Sequence, residues 1–189
     1  MINKIVDNLR KRVSRADQTD LASYRSLMWY YSEVKQIRTT NNRAKSSPIP
    51  EPGRMFLMEY SPKTAQDLEY YDAYPLIFII DFTKDGFLGL NLHYLPRMER
   101  SQLLAALMNL GKNKAEDKIR LSYQLIKSFS RSKHAAVCIK RYISTNIGDM
   151  IPISSDSWIT VSGLPVENFK KKHKDRVWSE SIRKLNRKN

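Results

Sequence analysis

Hydrophobic and polar residues change their period twice along the chain. In "DLASYRSLMWYYSEVKQIR" the apolar positions Leu21, Tyr24, Leu27, Met28, Tyr31, Val34 and Ile37 recur at spacings of three and four. That spacing predicts an amphipathic helix, with Asp20 as its N-cap. The preceding "IVDNLRKRVSR" predicts a shorter helix crowded at one end by Arg10, Lys11, Arg12 and Arg15. "TTNNRAKSSPIPEPG" then interrupts the pattern with prolines, a glycine and small polar residues, and reads as an exposed linker. From Arg54 the period becomes two. "RMFLMEY" alternates loosely, "PLIFIIDF" is apolar on both faces, and "GFLGLNLHYL" alternates cleanly. These are three strands, the second central because both its faces require burial. "TKDG" between the second and third is a hairpin signal, with Gly86 in the turn. In the third strand Leu88, Leu90, Leu92 and Tyr94 line the core face, leaving Asn91 and His93 outward as contacts for a partner.

After Pro96 the helical period returns in "RMERSQLLAALMNLG", capped by Gly111, in "AEDKIRLSYQLIKSFSRS", and in "AAVCIKRYISTNI". "MIPIS" could add an edge strand, and "SDSWITVSGLPVENFKK" is open between a brief helix and a strand. "KDRVWSESIRKLN" predicts a basic helix held by Val177, Trp178 and Ile182. The class expected is α+β: a small bent antiparallel sheet, or a partly closed SH3-like barrel, flanked by basic amphipathic helices. The corresponding divisions are an N-terminal helical segment over 1–45, a linker over 46–53, a β core over 54–96, and a helical region with a basic C-terminal tail over 97–189. There is no internal repeat.

Composition narrows the function. With 189 residues and 41% hydrophobic side chains, the chain can bury a real core, although its mean hydropathy is −0.53. The single cysteine, Cys138, allows no internal disulfide, and three histidines with one cysteine do not make an ordinary Cys/His zinc site. The N-terminus lacks the apolar region of a signal peptide, and "YPLIFII" is too short to span a bilayer, so no membrane association is expected.

Charge changes the picture most. There are 33 basic and 19 acidic residues, a net charge of +14. Residues 51–99 hold 4 basic and 8 acidic side chains, whereas residues 100–150 hold 10 and 3 and residues 151–189 hold 9 and 4. An acidic centre with basic flanks implies a polyanionic partner, nucleic acid first, against the alternative of merely solvated helix faces. The candidate phosphate contacts are Lys170, Lys171, Lys172, Lys174, Arg176, Arg183 and Lys184 in the tail, with Arg131, Lys133, Lys140 and Arg141 extending the track. Lysines in such runs bind phosphates as point charges, without sequence choice. Aromatic residues interleave poorly with them, which favours contact with the duplex backbone or its ends over single-strand reading.

Catalytic signatures are lacking: no phosphate-binding loop, dinucleotide fingerprint, zinc-protease motif or nucleophile elbow is found. Asp67, Glu69 and Asp72 could in principle hold magnesium, but a solvated, tyrosine-packed loop is the simpler expectation. No cofactor or metal is expected.

The ordered pieces "PGRMFLMEYSPK", "YYDAYPLIFI", "GFLGLNLHYLP", "IRLSYQLIKSFS" and a later tryptophan followed by "LPVENF" resemble a family of T4-like tailed bacteriophages. That family is described as a DNA end protector or head-completion protein, and the resemblance spans roughly residues 52–180. It implies a non-enzymatic virion protein, in the host cytoplasm before assembly, that binds double-stranded DNA at or near its ends beside other phage structural proteins. It supplies no site residues and leaves an oligomer open. Two alternatives remain: a structural connector of neck, tail or baseplate without DNA affinity, and an SH3-like-barrel ribonuclease.

Overall fold

The computed structural model of the protein describes residues 50–109, 123–124, 126–131, 136–164 and 166–186. The strands are β1 (Met55–Tyr60), β2 (Tyr71–Asp72), β3 (Leu76–Thr83), β4 (Gly86–Asn91), β5 (Ile139–Ile143), β6 (Ile147–Ile153) and β7 (Phe169–Lys170). The helices are α1 (Arg97–Asn109), α2 (Trp158–Ser162) and α3 (Lys174–Asn186), with a 3-10 turn at Leu92–Tyr94. Five strands form one antiparallel sheet in the order β5-β4-β3-β1-β6, and β2 pairs with β7 as a separate ribbon. The class is α+β. β5 and β6 are the edges of the sheet, and only Ser144–Asn146 links them, so the sheet is bent as expected but does not close into a full barrel.

β3 takes the central place because its sequence has no polar face to offer water until Asp81. Leu76, Phe78 and Ile80 enter the larger core cluster, while Ile77 and Ile79 enter a second one. The larger cluster joins the sheet to Leu104 of α1, Trp158 and Val161 of α2, and Val177 of α3. Phe78 meets Trp158 edge to face, with ring centroids 4.8 Å apart. The second cluster gathers Phe56, Met58, Ile77, Ile79, Phe87 and Tyr142.

Several expectations change. "AAVCIKRYISTNI" is not helical throughout: Ile139–Ile143 is β5, paired with Leu90 back to Gly86. Its alternation of Ile139, Arg141 and Ile143 with Lys140 and Tyr142 suits a pleated strand, and the unpaired edge of β4 selects that state. β6 is the expected edge strand, longer than "MIPIS", and tolerates Pro152 because an edge strand has free N–H positions. The β core therefore does not end at residue 96; residues 139–153 supply both of its edges. Lys84 and Asp85, between paired Thr83 and Gly86, make the β3–β4 turn, so Gly86 belongs to β4. Glycine is required there because a Cβ would lie 1.9 Å from the Tyr142 carbonyl oxygen on β5. The expected helix over "KDRVWSESIRKLN" is α3. The helices expected within residues 1–45, and Gly111, lie outside the described residues.

Candidate nucleic-acid interface

Asp72 is where the site begins. Its carboxylate is buried and accepts four hydrogen bonds: from the Tyr74 and Asn168 amides to Oδ1 (3.1 and 3.2 Å), and from Asn91 Nδ2 and His93 Nδ1 to Oδ2 (3.2 and 2.7 Å). Burial alone would raise this carboxyl, but the His93 ring and the amide donors outweigh it and hold Asp72 below the usual carboxylate range. Asn91 also donates to the Tyr142 hydroxyl (3.1 Å), and its Oδ1 accepts the His93 amide, capping the 3-10 turn. One carboxylate thus ties β2, β4, the turn after β4 and the approach to β7 into a single floor.

A second buried ion sits alongside. Arg100, fully buried on α1, donates Nε to the Leu95 carbonyl (2.7 Å), Nη1 to Ser162 (3.2 Å) and Nη2 to His93 (3.3 Å). Its Nη1 lies 2.6 Å from a carboxylate oxygen of Glu167. Burial pulls the guanidinium below its ordinary range, with the Glu167 charge opposing that shift. The Glu167 carboxyl lies below its own ordinary range: burial raises it, but the His93 and Arg100 charges prevail. Trp178 of α3 donates its indole N–H to the His93 carbonyl (2.8 Å), and its ring faces the Arg100 guanidinium at 5.4 Å. The basic tail helix is therefore bolted to the core through Val177, Trp178 and Ser181.

Above the Asp72 floor opens a cleft of about 320 Å³. Tyrosines line it: Tyr60 from β1, Tyr70 and Tyr71 at β2, Tyr94, and Tyr142 from β5. Lys140 and Arg141 enter from β5, and Leu68 and Glu69 from the loop before β2. Lys140 Nζ sits 4.3 Å from the Tyr94 ring centroid, and Lys172 Nζ sits 4.3 Å from that of Tyr70. Burial lowers the Lys140 pKa and the Lys184 charge adds to that; Lys184 also helps depress Glu69, whose main cause is its hydrogen bond from Lys172. Lys184, at the C-terminal end of α3, is therefore a close electrostatic neighbour of the cleft.

The predicted phosphate contacts divide into three groups. Lys170, Arg176, Arg183, Lys184 and Arg131 are exposed and pair with no carboxylate among the described residues. Lys171, Lys172, Lys174 and Arg141 are already engaged. Lys171 has the left-handed φ of 68° and donates to the Gln66 and Leu68 carbonyls (2.7 and 2.9 Å). Lys172 bridges Glu69 and Glu180, Lys174 lies 5.5 Å from the Trp178 ring centroid, and Arg141 pairs with Asp85 at 2.6 Å. Lys140 is half-buried in the cleft, which Glu69 and Asp72 also line, and pairs with no carboxylate among the described residues. Lys133 lies outside the described residues.

Asn91 and His93 are corrected outright. Both are fully buried, so neither can meet a partner. The strand ends at Asn91 and both faces of β4 are covered, so the two side chains turn in to Asp72. The loop reading of Asp72 changes for the same reason; Asp67 and Glu69 stay exposed. Among the described residues no three acidic, histidine or cysteine side chains group around a possible metal position. Burial pushes the Cys138 thiol up to about 12, which keeps it an unreactive core residue.

A family model described as Phage T4 terminal DNA protecting protein matches residues 1–184. Neither a curated protein nor a solved structure matches the chain.

Proposed function

Since the chain belongs to the Phage T4 terminal DNA protecting protein family, we propose that it is a non-enzymatic protein that binds the ends of duplex phage DNA and denies them to nucleases. In that role it occupies the terminus of the packaged genome in the virion, beside other phage structural proteins, and the host cytoplasm before assembly. One observation carries the physical side of the reading. Exposed cations from β7 and α3, namely Lys170, Arg176, Arg183 and Lys184, have no carboxylate partner among the described residues, and the last three sit on a helix that Trp178 fixes to the core. Fixed, uncompensated cations attract a polyanion and gain by releasing its condensed counterions. The engaged lysines, Lys171 and Lys172, serve chiefly to hold the loop before β2.

The test is competition for labelled linear duplex at about 0.15 M salt, where charges more than ~8 Å apart are largely screened. Open linear DNA is expected to compete better than closed circular DNA, and bound protein to shield linear DNA from an exonuclease. The variant with Lys170, Arg176, Arg183 and Lys184 all changed to glutamate should lose binding while remaining folded. Full binding by that variant would remove α3 from the interface. Absence of any DNA binding by the wild type would favour a connector role instead.

A further inference from the structure

Lys140 is a half-buried cation whose amine faces the Tyr94 ring and pairs with no carboxylate among the described residues. A lysine that gives up hydration without a counter-ion leaves a place for an anion to fill. Burial, then the nearby Lys184 charge, makes its protonated form harder to keep, which an arriving phosphate would reverse.

The same cleft holds a ring without a neighbour. Tyr60 packs edge-on against Tyr142, Tyr70 against Phe169 and Lys172, and Tyr94 against Phe169 and Lys140. Tyr71 lines the cleft half-exposed, and among the described residues no aromatic ring or cation covers it. The exposed side chain of Leu68 also lines the space. A cation lacking its anion and an aromatic ring lacking its stacking partner thus share a volume of about 320 Å³, near the lower end of small-ligand pockets.

We propose that this cleft takes the terminal nucleotide of a DNA strand, unpaired from its complement, with its phosphate on Lys140 and its base against Tyr71. The proposal rests on the DNA-end reading and adds the source of end preference to it. Inside a duplex each base is stacked on both sides and has no face to offer. Only at an end can one nucleotide leave the stack at small cost, and least where it is already an overhang. A terminal nucleotide held in the cleft is one that an exonuclease cannot thread into its own site.

The experiment compares four DNAs of one sequence at about 0.15 M salt: a blunt duplex, duplexes with a one-nucleotide 5′ or 3′ overhang bearing a terminal phosphate, and a duplex closed by hairpins at both ends. For wild-type protein one overhang should bind about tenfold tighter than the closed duplex, the size of a single base–aromatic stack. The stronger of the two overhangs identifies which strand end is held. Lys140→Met and Tyr71→Leu should bring that ratio close to one, and Tyr71→Leu should leave affinity for the closed duplex unchanged. Tyr71→Trp should retain the ratio, which separates lost stacking from a damaged fold, as does the melting temperature of each variant. Titration with deoxythymidine monophosphate alone should shift amide resonances around the cleft in the wild type and not in Tyr71→Leu. Equal binding of all four DNAs by the wild type, or an unchanged ratio in folded Lys140→Met or Tyr71→Leu, overturns the assignment while DNA binding stands. Failure of the wild type to bind any of the four removes the DNA-end reading itself, and this one with it.

Discussion

The protein uses the same kinds of charged side chain in two opposite ways. Beneath the cleft, Asp72, His93, Arg100 and Glu167 are buried and committed to each other and to backbone groups. On β7 and α3, Lys170, Arg176, Arg183 and Lys184 are exposed and committed to nothing among the described residues. The first set fixes where the second one points, because Trp178 of α3 donates to the His93 carbonyl and stacks near Arg100. Buried ions are costly unless fully satisfied, and removing one partner strands the other. Exposed ions cost little and can be changed with small effect on stability. Loss of the buried set should unfold the protein; loss of the exposed set should only empty its binding face.

The sharpest way to break that contrast is Arg100→Met. It removes an ion-pair partner of Glu167 and three carbonyl contacts at once, and should cost about 3–5 kcal/mol, as for other broken buried pairs. For a chain of this size that corresponds to a drop of about 10 °C in melting temperature, read by thermal unfolding. A change of a degree or two would mean that the buried set does not hold the fold.

Acid should separate the two sets next. Asp72 and Glu167 are both held below the ordinary carboxylate range. A carboxyl with a depressed folded pKa adds stability that is present above its unfolded value, about 4, and is lost as pH falls through the folded one. Melting temperature should therefore stay level from pH 7 to 5 and fall steeply below about 4. The fall should persist in 0.5 M salt, because buried pairs are poorly screened, and should be shallower in Asp72→Asn. DNA affinity should likewise stay level from pH 7 to 5, where the buried set still holds the fold.

Much of this layout was legible in the sequence, and the illegible part has a common cause. The central β3 follows from a short Ile- and Phe-rich apolar run bounded by a turn signal, and the helix α3 from its helical period in "KDRVWSESIRKLN". β5 was misread because Lys140 and Arg141 interrupt a short apolar run at a spacing that suits either period. Pairing with β4, a contact about 50 residues away in sequence, decided it. The buried set was missed because a charged residue is read as exposed by default. Arg100 did leave a trace: it stands three, four and seven residues before Leu103, Leu104 and Leu107, on the apolar stripe of its own helix. Nothing local marks Asp72, whose burial depends on Asn91, His93 and Asn168, all distant in the chain. The cleft itself draws on β1, β2, β5 and the 3-10 turn, so no single window could show tyrosines and cations together.

A milder test lies within the buried set. Tyr142→Phe removes the hydroxyl that accepts from Asn91, but Asn91 Nδ2 keeps its bond to Asp72. Because the second Nδ2 hydrogen of buried Asn91 then lacks an acceptor, the cost should be about 2 kcal/mol, visible as a shift in the urea midpoint without change in slope. A loss near that of Arg100→Met would show that Tyr142 and Asp72 act as one cooperative unit.

The finest division concerns a cation that belongs to neither set. Arg141 lines the cleft yet is paired with the exposed Asp85 in the β3–β4 turn. An exposed pair of this kind is readily exchanged for another anion. Asp85→Asn leaves the turn backbone in place and frees the guanidinium, so DNA affinity should rise about twofold at 50 mM salt and not detectably at 0.5 M. Melting temperature should barely move. A fall in affinity would instead mean that Asp85 holds Arg141 in its binding position, and the pair would then belong with the buried ions that orient the interface and not with the cations that fill it.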